Sequence, residues 1–390
     1  MRTRMDMRDS KKELELYLHI PFCIRKCAYC DFLSGPATDE VKSRYVEALI
    51  REIKSSGKNY KEYCVTTIFM GGGTPSILMP EQMTAIFDAL KVSFDIKKDA
   101  EITIEVNPGT VTDEKFHAWK AAGINRLSIG LQSVKNEELQ MLGRIHSYEQ
   151  FLDTFQKARK YGFENINVDL ISAIPGQTLK SWCETLRTVA ELSPEHISAY
   201  SLIIEEGTPF YEKYGEENYI EETGLLPDEE TERKIYEETE KILLEYGYER
   251  YEISNYAKKG YECKHNCGYW ERKEYLGLGI GAASLIGNRR FNTVSELNKY
   301  LECNSLQYEN EELLSEQEEM EEFMFLGLRM MKGVRKTAFK TYFAKNIEEV
   351  YGSVLAELEK KQLLEISGDV IKLTKYGIDI SNFVFEQFLF

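Results

Sequence analysis

Tyr17-Leu18-His19-Ile20-Pro21-Phe22-Cys23-Ile24-Arg25-Lys26-Cys27-Ala28-Tyr29-Cys30-Asp31-Phe32 places three cysteines on one short loop, spaced C-x-x-x-C-x-x-C and preceded by an apolar run. A loop of this kind aims three thiolates at one point, and soft thiolates gathered this way indicate a metal site. A structural zinc ion takes four protein ligands. The fourth would have to be His19 or a distant cysteine, the next along the chain being Cys64. A [4Fe–4S] cluster on Cys23, Cys27 and Cys30 instead leaves one iron open to an exogenous ligand, a place for chemistry.

Outward from this loop the chain alternates two patterns. Strand-like apolar runs lie at 14–20, 66–70, 101–106, 126–131, 165–171 and 196–203. Amphipathic stretches at 39–55, 80–93, 113–122, 136–142, 148–161 and 179–192 separate them, ending at breakers such as Gly57, Gly123 and Gly162. Repeated βα units imply parallel strands with helices outside. Six of them make an α/β fold with a partial parallel (β/α)6 barrel, whose functional groups belong at the carboxyl ends of the strands.

After residue 204 the rhythm changes to a Gly-, Tyr- and Glu-rich connection, an acidic helix-forming run at 228–246 and a dense motif at 263–284. Helical patterns return at 318–331, 336–343 and 348–361. Two strand candidates, 364–367 and 370–373, follow; Gly368-Asp369 between them is a hairpin signal. With a last helix at 377–388, this end reads as a smaller carboxyl-terminal winged-helix-like domain, acidic in its first half and suited to packing or a partner. The expected organisation is a barrel domain at 1–245, a connecting region at 246–310 and the carboxyl-terminal domain at 311–390.

Composition narrows the function classes. The 390 residues, 43% hydrophobic, are those of an ordinary globular protein. A net charge of −16 disfavours nucleic-acid binding, which draws on phosphate neutralisation by Lys and Arg. The acidic clusters at 216–222, 228–232 and 309–322 read as solvated faces. The amino-terminal residues lack an apolar core, so they are not a secretory signal, and no stretch is long and apolar enough for a transmembrane segment. A cytoplasmic protein is expected, in which the eight cysteines are not a disulfide framework. Cys64, Cys183 and Cys303 stand apart and read as buried apolar side chains.

Further candidates sit within the strands or at their ends. Gly71-Gly72-Gly73-Thr74-Pro75 lets backbone groups approach a ligand closely, or else is a tight turn. Glu105 ends the third strand and needs a partner in the barrel mouth or a salt bridge to a neighbouring loop. Gln132 ends the fourth strand. Asp169 is flanked by apolar residues, so burial requires that it meet a ligand hydroxyl or a cation, and Arg144 is available as a charged partner for a carboxylate. The stretch Cys263-Lys264-His265-Asn266-Cys267-Gly268-Tyr269-Trp270 carries a histidine beside an aromatic pair, readable as a heme-iron ligand or as a loop cap. Cys263, His265 and Cys267 are also a candidate metal cluster, with gaps shorter than usual zinc spacing.

The three-cysteine spacing resembles that of the radical S-adenosylmethionine (SAM) superfamily. The wider text YLHIPFCIRKCAYCDF resembles the branch holding the oxygen-independent coproporphyrinogen III oxidases and the HemW-type heme chaperones, and the likeness runs from residue 14 to the end. It implies a barrel of radical SAM type, a [4Fe–4S] cluster on Cys23, Cys27 and Cys30, and SAM bound by Tyr17, Tyr29, Gly72, Gly73, Thr74, Glu105, Gln132, Arg144 and Asp169. H-N-x-x-Y-W is similar to the chaperones' motif, which makes His265 the implied heme ligand. The oxidases carry a fourth cysteine two positions after the third, where this chain has Phe32. In the glycine-rich turn, Ala283 stands where histidine is frequent in the chaperones, so no second heme ligand is assigned there.

The resemblance implies a heme chaperone that binds heme and passes it to an acceptor protein, with no nucleic-acid partner and only peripheral membrane contact. The alternative is a radical enzyme acting on a tetrapyrrole, in which the cluster gives one electron to SAM.

Overall fold

The structure is a computed structural model that describes residues 11–215, 226–303 and 305–390. The amino-terminal residues before 11 and the acidic cluster at 216–222 lie outside the described residues.

Six parallel strands form the centre of the molecule: β1 (Lys12–Ile20), β2 (Tyr63–Gly72), β3 (Ile96–Val106), β4 (Arg126–Gln132), β5 (Ile166–Ser172) and β6 (His196–Ser201). They pair in chain order. The helices Asp39–Ser56, Pro80–Ser93, Asp113–Ala122, Tyr148–Lys160 and Leu179–Glu191 cross over between them. Four of these start where the sequence supplies a hydroxyl cap: Thr38, Thr112, Ser147 and Thr178 accept from the backbone N–H groups of Val41, Lys115, Gln150 and Ser181. This is the expected partial (β/α)6 barrel.

Alternation along the strands sorts side chains into two layers. Leu14, Leu16, Leu18 and Ile20 of β1 are fully buried in the apolar core between strands and helices. Glu15, Tyr17 and His19 occupy the other face of the same strand. The same period continues in register around the barrel: Glu105 pairs with Ser128, Ser128 with Asn167, and Asn167 with His196. The barrel interior is therefore lined with polar groups from mouth to base.

The stretch expected to be a connection continues the sheet. Beside β6 lie β7 (Glu249–Arg250) and β8 (Asn255–Ala257), while β9 (Tyr275–Leu278) pairs in parallel with β1. Beyond β9, β10 (Ala283–Ile286), β11 (Arg289–Thr293) and β12 (Tyr308–Leu313) run antiparallel and complete a twelve-stranded sheet among the described residues.

The carboxyl-terminal part holds its own apolar cluster, which includes Met324, Phe339, Ile347, Leu355, Ile371 and Phe388. Around it stand the helices Glu316–Gly327, Lys336–Phe343 and Ile347–Lys360 and an antiparallel sheet of β13 (Val334–Arg335), β14 (Leu364–Ser367) and β15 (Val370–Leu373). This is the winged-helix-like arrangement. The single last helix expected at 377–388 is two, Lys375–Asp379 and Ser381–Glu386, because Ile380 leaves helical geometry at φ −121°, ψ 40°.

Candidate functional site

The cysteine loop is fixed at both ends by backbone bonds. Gly73 N–H donates to the carbonyl of Ile20 at 2.8 Å and Thr74 N–H to that of Phe22 at 2.7 Å, so the glycine-rich turn and the start of the loop form one piece. Farther on, Ala28 N–H donates to Leu142 at 3.1 Å, and an Arg25 guanidinium nitrogen donates to Gly143 at 2.7 Å. A Cβ on Gly73 would lie 2.8–2.9 Å from the backbone of Phe22 and Ile20. Gly73→Ala is therefore expected to part the turn from the loop and weaken SAM binding at least about tenfold, read by equilibrium dialysis with labelled SAM.

The loop caps a cavity of about 490 Å³ at the carboxyl ends of the strands. Cys23, Cys27 and Cys30 line it together with Tyr29, Gly72, Gly73, Thr74, Glu105, Gln132, Arg144 and Asp169. Tyr17 does not reach the lining; it stacks on Phe69, and its hydroxyl is 3.0 Å from Nδ1 of His19. Among the described residues no three His, Cys, Asp or Glu side chains converge on a single point, and this holds for Cys23, Cys27 and Cys30 as for Cys263, His265 and Cys267. Phe32 stands exposed on the rim, as does Ile203. Cys64, Cys183 and Cys303 are half-buried rather than buried.

Burial sets the charge states around the cavity. Glu105 accepts from Gly72 N–H at 3.1 Å and has no salt bridge among the described residues; burial, reinforced by nearby Asp169, pushes its carboxyl up to about 8. Asp169 is also raised by burial, against hydrogen bonds from Asn167 at 2.8 Å and Ser128 at 3.0 Å. Arg144 meets no carboxylate among the described residues. Its guanidinium donates to Asn107 at 2.8 Å, to the Gly130 carbonyl at 3.0 Å and to the Cys27 sulfur at 3.5 Å. Gln132 is buried with its backbone in the left-handed region, φ 69°, where β4 slips register against β5; its Oε1 has no partner among the described residues. A strained strand end with an unpaired acceptor suits a ligand contact.

The second motif closes the base of the barrel. The helix Lys264–Trp270 begins against Glu101, whose carboxylate accepts from the N–H groups of Lys264 and His265, each at 3.2 Å. His265 is 1% exposed. Its Nδ1 lies 2.7 Å from Thr67 Oγ1 and its Nε2 lies 3.1 Å from the Tyr269 hydroxyl, while its ring stacks on Phe69 with centroids 5.2 Å apart. Both ring nitrogens are engaged inside the barrel. For the implied ligand role, a heme iron would have to displace one of these two partners.

Thr67, Glu101, Arg126 and Glu15 belong to this buried group and are marked by no motif. The alternation Glu15, Tyr17, His19 within an otherwise apolar strand is the signal that finds such residues. Both carboxyl oxygens of Glu15 are buried and unpartnered among the described residues, and burial, opposed by Lys273, pushes its pKa from 4.5 up to about 8. The folded chain therefore keeps this proton after the unfolded chain has lost it, and the associated stability falls as pH rises from 4.5 to 8. Glu15→Gln should flatten that decline by up to ~1.4 kcal/mol per pH unit, measured by denaturant unfolding across this range.

The comparisons agree with this architecture. The model of the radical SAM superfamily matches residues 17–189, and that of the HemN C-terminal domain matches 314–380. The coproporphyrinogen III oxidase HemN from Escherichia coli, described as a radical SAM enzyme, superposes with a TM-score of 0.84 over 98% of this chain and 91% of its own. At 24% identity that likeness shows the fold. The class is thus a radical SAM barrel with a HemN-type carboxyl-terminal domain. Heme chaperone HemW of Bacillus subtilis is 37% identical over 96% of this chain and 98% of its own. Heme chaperone HemW of Lactococcus lactis is 36% identical over 97% and 98%, and that of Escherichia coli 33% over 96% and 98%. The chain belongs to the HemW family.

Proposed function

We propose that this protein is a heme chaperone: it binds heme and hands it to an acceptor protein, on a scaffold that carries a [4Fe–4S] cluster and exchangeable SAM. The observation that carries this is end-to-end identity with chains named heme chaperone HemW. Phe32, where the oxidases have a fourth cysteine, supports it against porphyrinogen oxidation. No helix among the described residues is long and apolar enough to cross a membrane, and we place the chaperone in the cytoplasm.

The cavity fits the two absent groups. Its volume lies within the usual range for small-molecule sites, and three soft donors stand at its mouth above carboxyl and amide groups. Thiols spread around a cavity suit a cluster, which takes each thiolate on a different iron, better than a zinc ion, which needs four ligands at one point. Cys23, Cys27 and Cys30 would hold the cluster, which supplies one electron and an open iron for SAM. The turn at Gly72–Thr74 would present backbone groups to the polar end of SAM, with Tyr17 behind it and Tyr29 beside the thiols. Glu105 is held protonated near neutrality by burial; a cationic amino group beside it would favour the carboxylate and release that proton. Asp169 and Gln132 would orient hydroxyl or amino groups, and Arg144 would hold the Cys27 sulfur in place through its N–H. We assign the barrel of 1–245, extended by the strands of 246–310, to cofactor binding, and 311–390 to partner contact.

The test is anaerobic titration of the reconstituted protein with hemin, following the Soret band, with coproporphyrinogen decarboxylation assayed in the same sample with SAM and reductant. Saturable stoichiometric heme uptake without decarboxylation is the expected result. Turnover without specific heme uptake would establish the tetrapyrrole-oxidising alternative.

A further inference from the structure

Asp169 stands in the cavity wall, and a series of hydrogen bonds runs from it away from the cavity to the base of the barrel. The Asn167 amide nitrogen donates to one Asp169 carboxyl oxygen at 2.8 Å and to Ser128 Oγ at 2.7 Å. Ser128 donates in turn to the other carboxyl oxygen at 3.0 Å. Behind these, Asn167 Oδ1 lies 2.6 Å from Nδ1 of His196, and His196 Nε2 lies 2.8 Å from the Tyr251 hydroxyl. The series ends on the N–H of Cys263, 3.3 Å from the same hydroxyl, at the cap of the helix Lys264–Trp270. Asn167, His196 and Tyr251 do not line the cavity.

The two ends set the direction of every bond between them. A carboxylate only accepts, so Asn167 turns its amide nitrogen to Asp169 and Ser128 and leaves its Oδ1 to accept from His196. Nδ1 of His196 therefore carries the proton. Burial, with Arg126 nearby, keeps this histidine neutral, so its Nε2 accepts from the Tyr251 hydroxyl. The Tyr251 oxygen in turn accepts from Cys263, whose backbone N–H can only donate. Every donor in the series points towards Asp169. With one donor on each oxygen, the carboxylate is fixed in its plane and faces the cavity as an acceptor for a ligand's hydroxyls.

We propose that Tyr251 and His196 are positioning residues of the SAM site: they act through Asn167 on Asp169, holding its carboxylate in the orientation that accepts the hydroxyls of a nucleoside. The inference rests on the reading that SAM occupies this cavity, and it extends the site behind the wall to the foot of the barrel.

The experiment is equilibrium dialysis with labelled SAM on the full chain with reconstituted cluster. It compares the parent with Tyr251→Phe, Asp169→Asn, the double variant and Tyr248→Phe. Tyr251→Phe removes one hydroxyl that does not face the cavity; Tyr248→Phe removes a buried hydroxyl bonded to the Pro194 carbonyl, outside the series, and is the control. His196→Asn cuts the series at a second place, so the result does not hang on the folding of one variant. Circular dichroism and iron content select folded, cluster-bearing samples. Three results together would support the assignment: SAM binding at least about fivefold weaker in Tyr251→Phe and His196→Asn, parental in Tyr248→Phe, and no weaker in the double variant than in Asp169→Asn alone. A general packing fault would instead add its loss to that of Asp169→Asn. Parental affinity in folded Tyr251→Phe or His196→Asn, or additive losses in the double variant, would overturn the inference while leaving SAM binding intact. Absence of saturable SAM binding by the parent would overturn both.

Discussion

Cys27→Ala is expected to abolish cluster retention. After anaerobic reconstitution, iron content and the charge-transfer absorbance of the variant should fall to background, and Cys64→Ala should match the parent. The asymmetry follows from position. Cys27 lines the cavity with two other loop cysteines, and its sulfur accepts an N–H from Arg144. Arg144 itself is oriented by Asn107 and the Gly130 carbonyl, so the cation is fixed in place. With three protein ligands already one short of a full set, removal of one leaves two irons without a protein donor. Cys64 lies at the far end of β2 from the glycine-rich turn, and the cavity does not include it. The Cys27 thiol is only half-buried, so its loss should move the unfolding midpoint of the cofactor-free chain little. A Cys27→Ala protein with parental iron content would sink the ligand assignment.

How much of this could be read from the sequence depended on whether the pattern was local. The βα alternation repeats within tens of residues, so the six parallel strands and their helices were legible, as was the cavity at the strand ends: eight of the nine expected SAM residues line it. Tyr17 stands back from the lining, where Phe69 and His19 hold its ring. The strands beyond β1 were not legible. Tyr275-Leu276-Gly277-Leu278 is too short to show alternation, and its glycine reads as a turn. In the structure Gly277 lies within β9, and a Cβ there would come within 2.3 Å of the Ala283 carbonyl oxygen, a close approach set by a neighbouring chain segment. Its partner β1 is some 260 residues away in sequence, and nothing near either strand announces the pairing. The burial of His265 escaped for the same reason. Apart from Tyr269 on its own helix, its hydrogen-bond and stacking partners come from β2 and β3, and a seven-residue helix does not say which of its faces is inside.

That burial makes the loss of stability in His265→Ala the second large effect. Removing the ring leaves the Thr67 and Tyr269 hydroxyls without their partner, strips the stacked face of Phe69 and opens a void in a closed interior. Together these should cost about 3 kcal/mol in denaturant unfolding at neutral pH. The cost should shrink in acid. Burial, with Arg126 nearby, lowers the His265 pKa from 6.5 to about 3, so the folded chain holds the ring neutral while the unfolded chain protonates it. The parent therefore loses this contribution as pH falls below 6.5, and the variant, lacking the ring, has none to lose. Thr67→Val, which keeps the ring and removes only the partner of Nδ1, should cost about 1–2 kcal/mol. Hemin titration of the same variants separates support from ligation: loss of hemin uptake by a folded His265→Ala protein, with uptake kept in Thr67→Val, would assign the ring to the iron, and parental uptake in both would leave it a support of the barrel base.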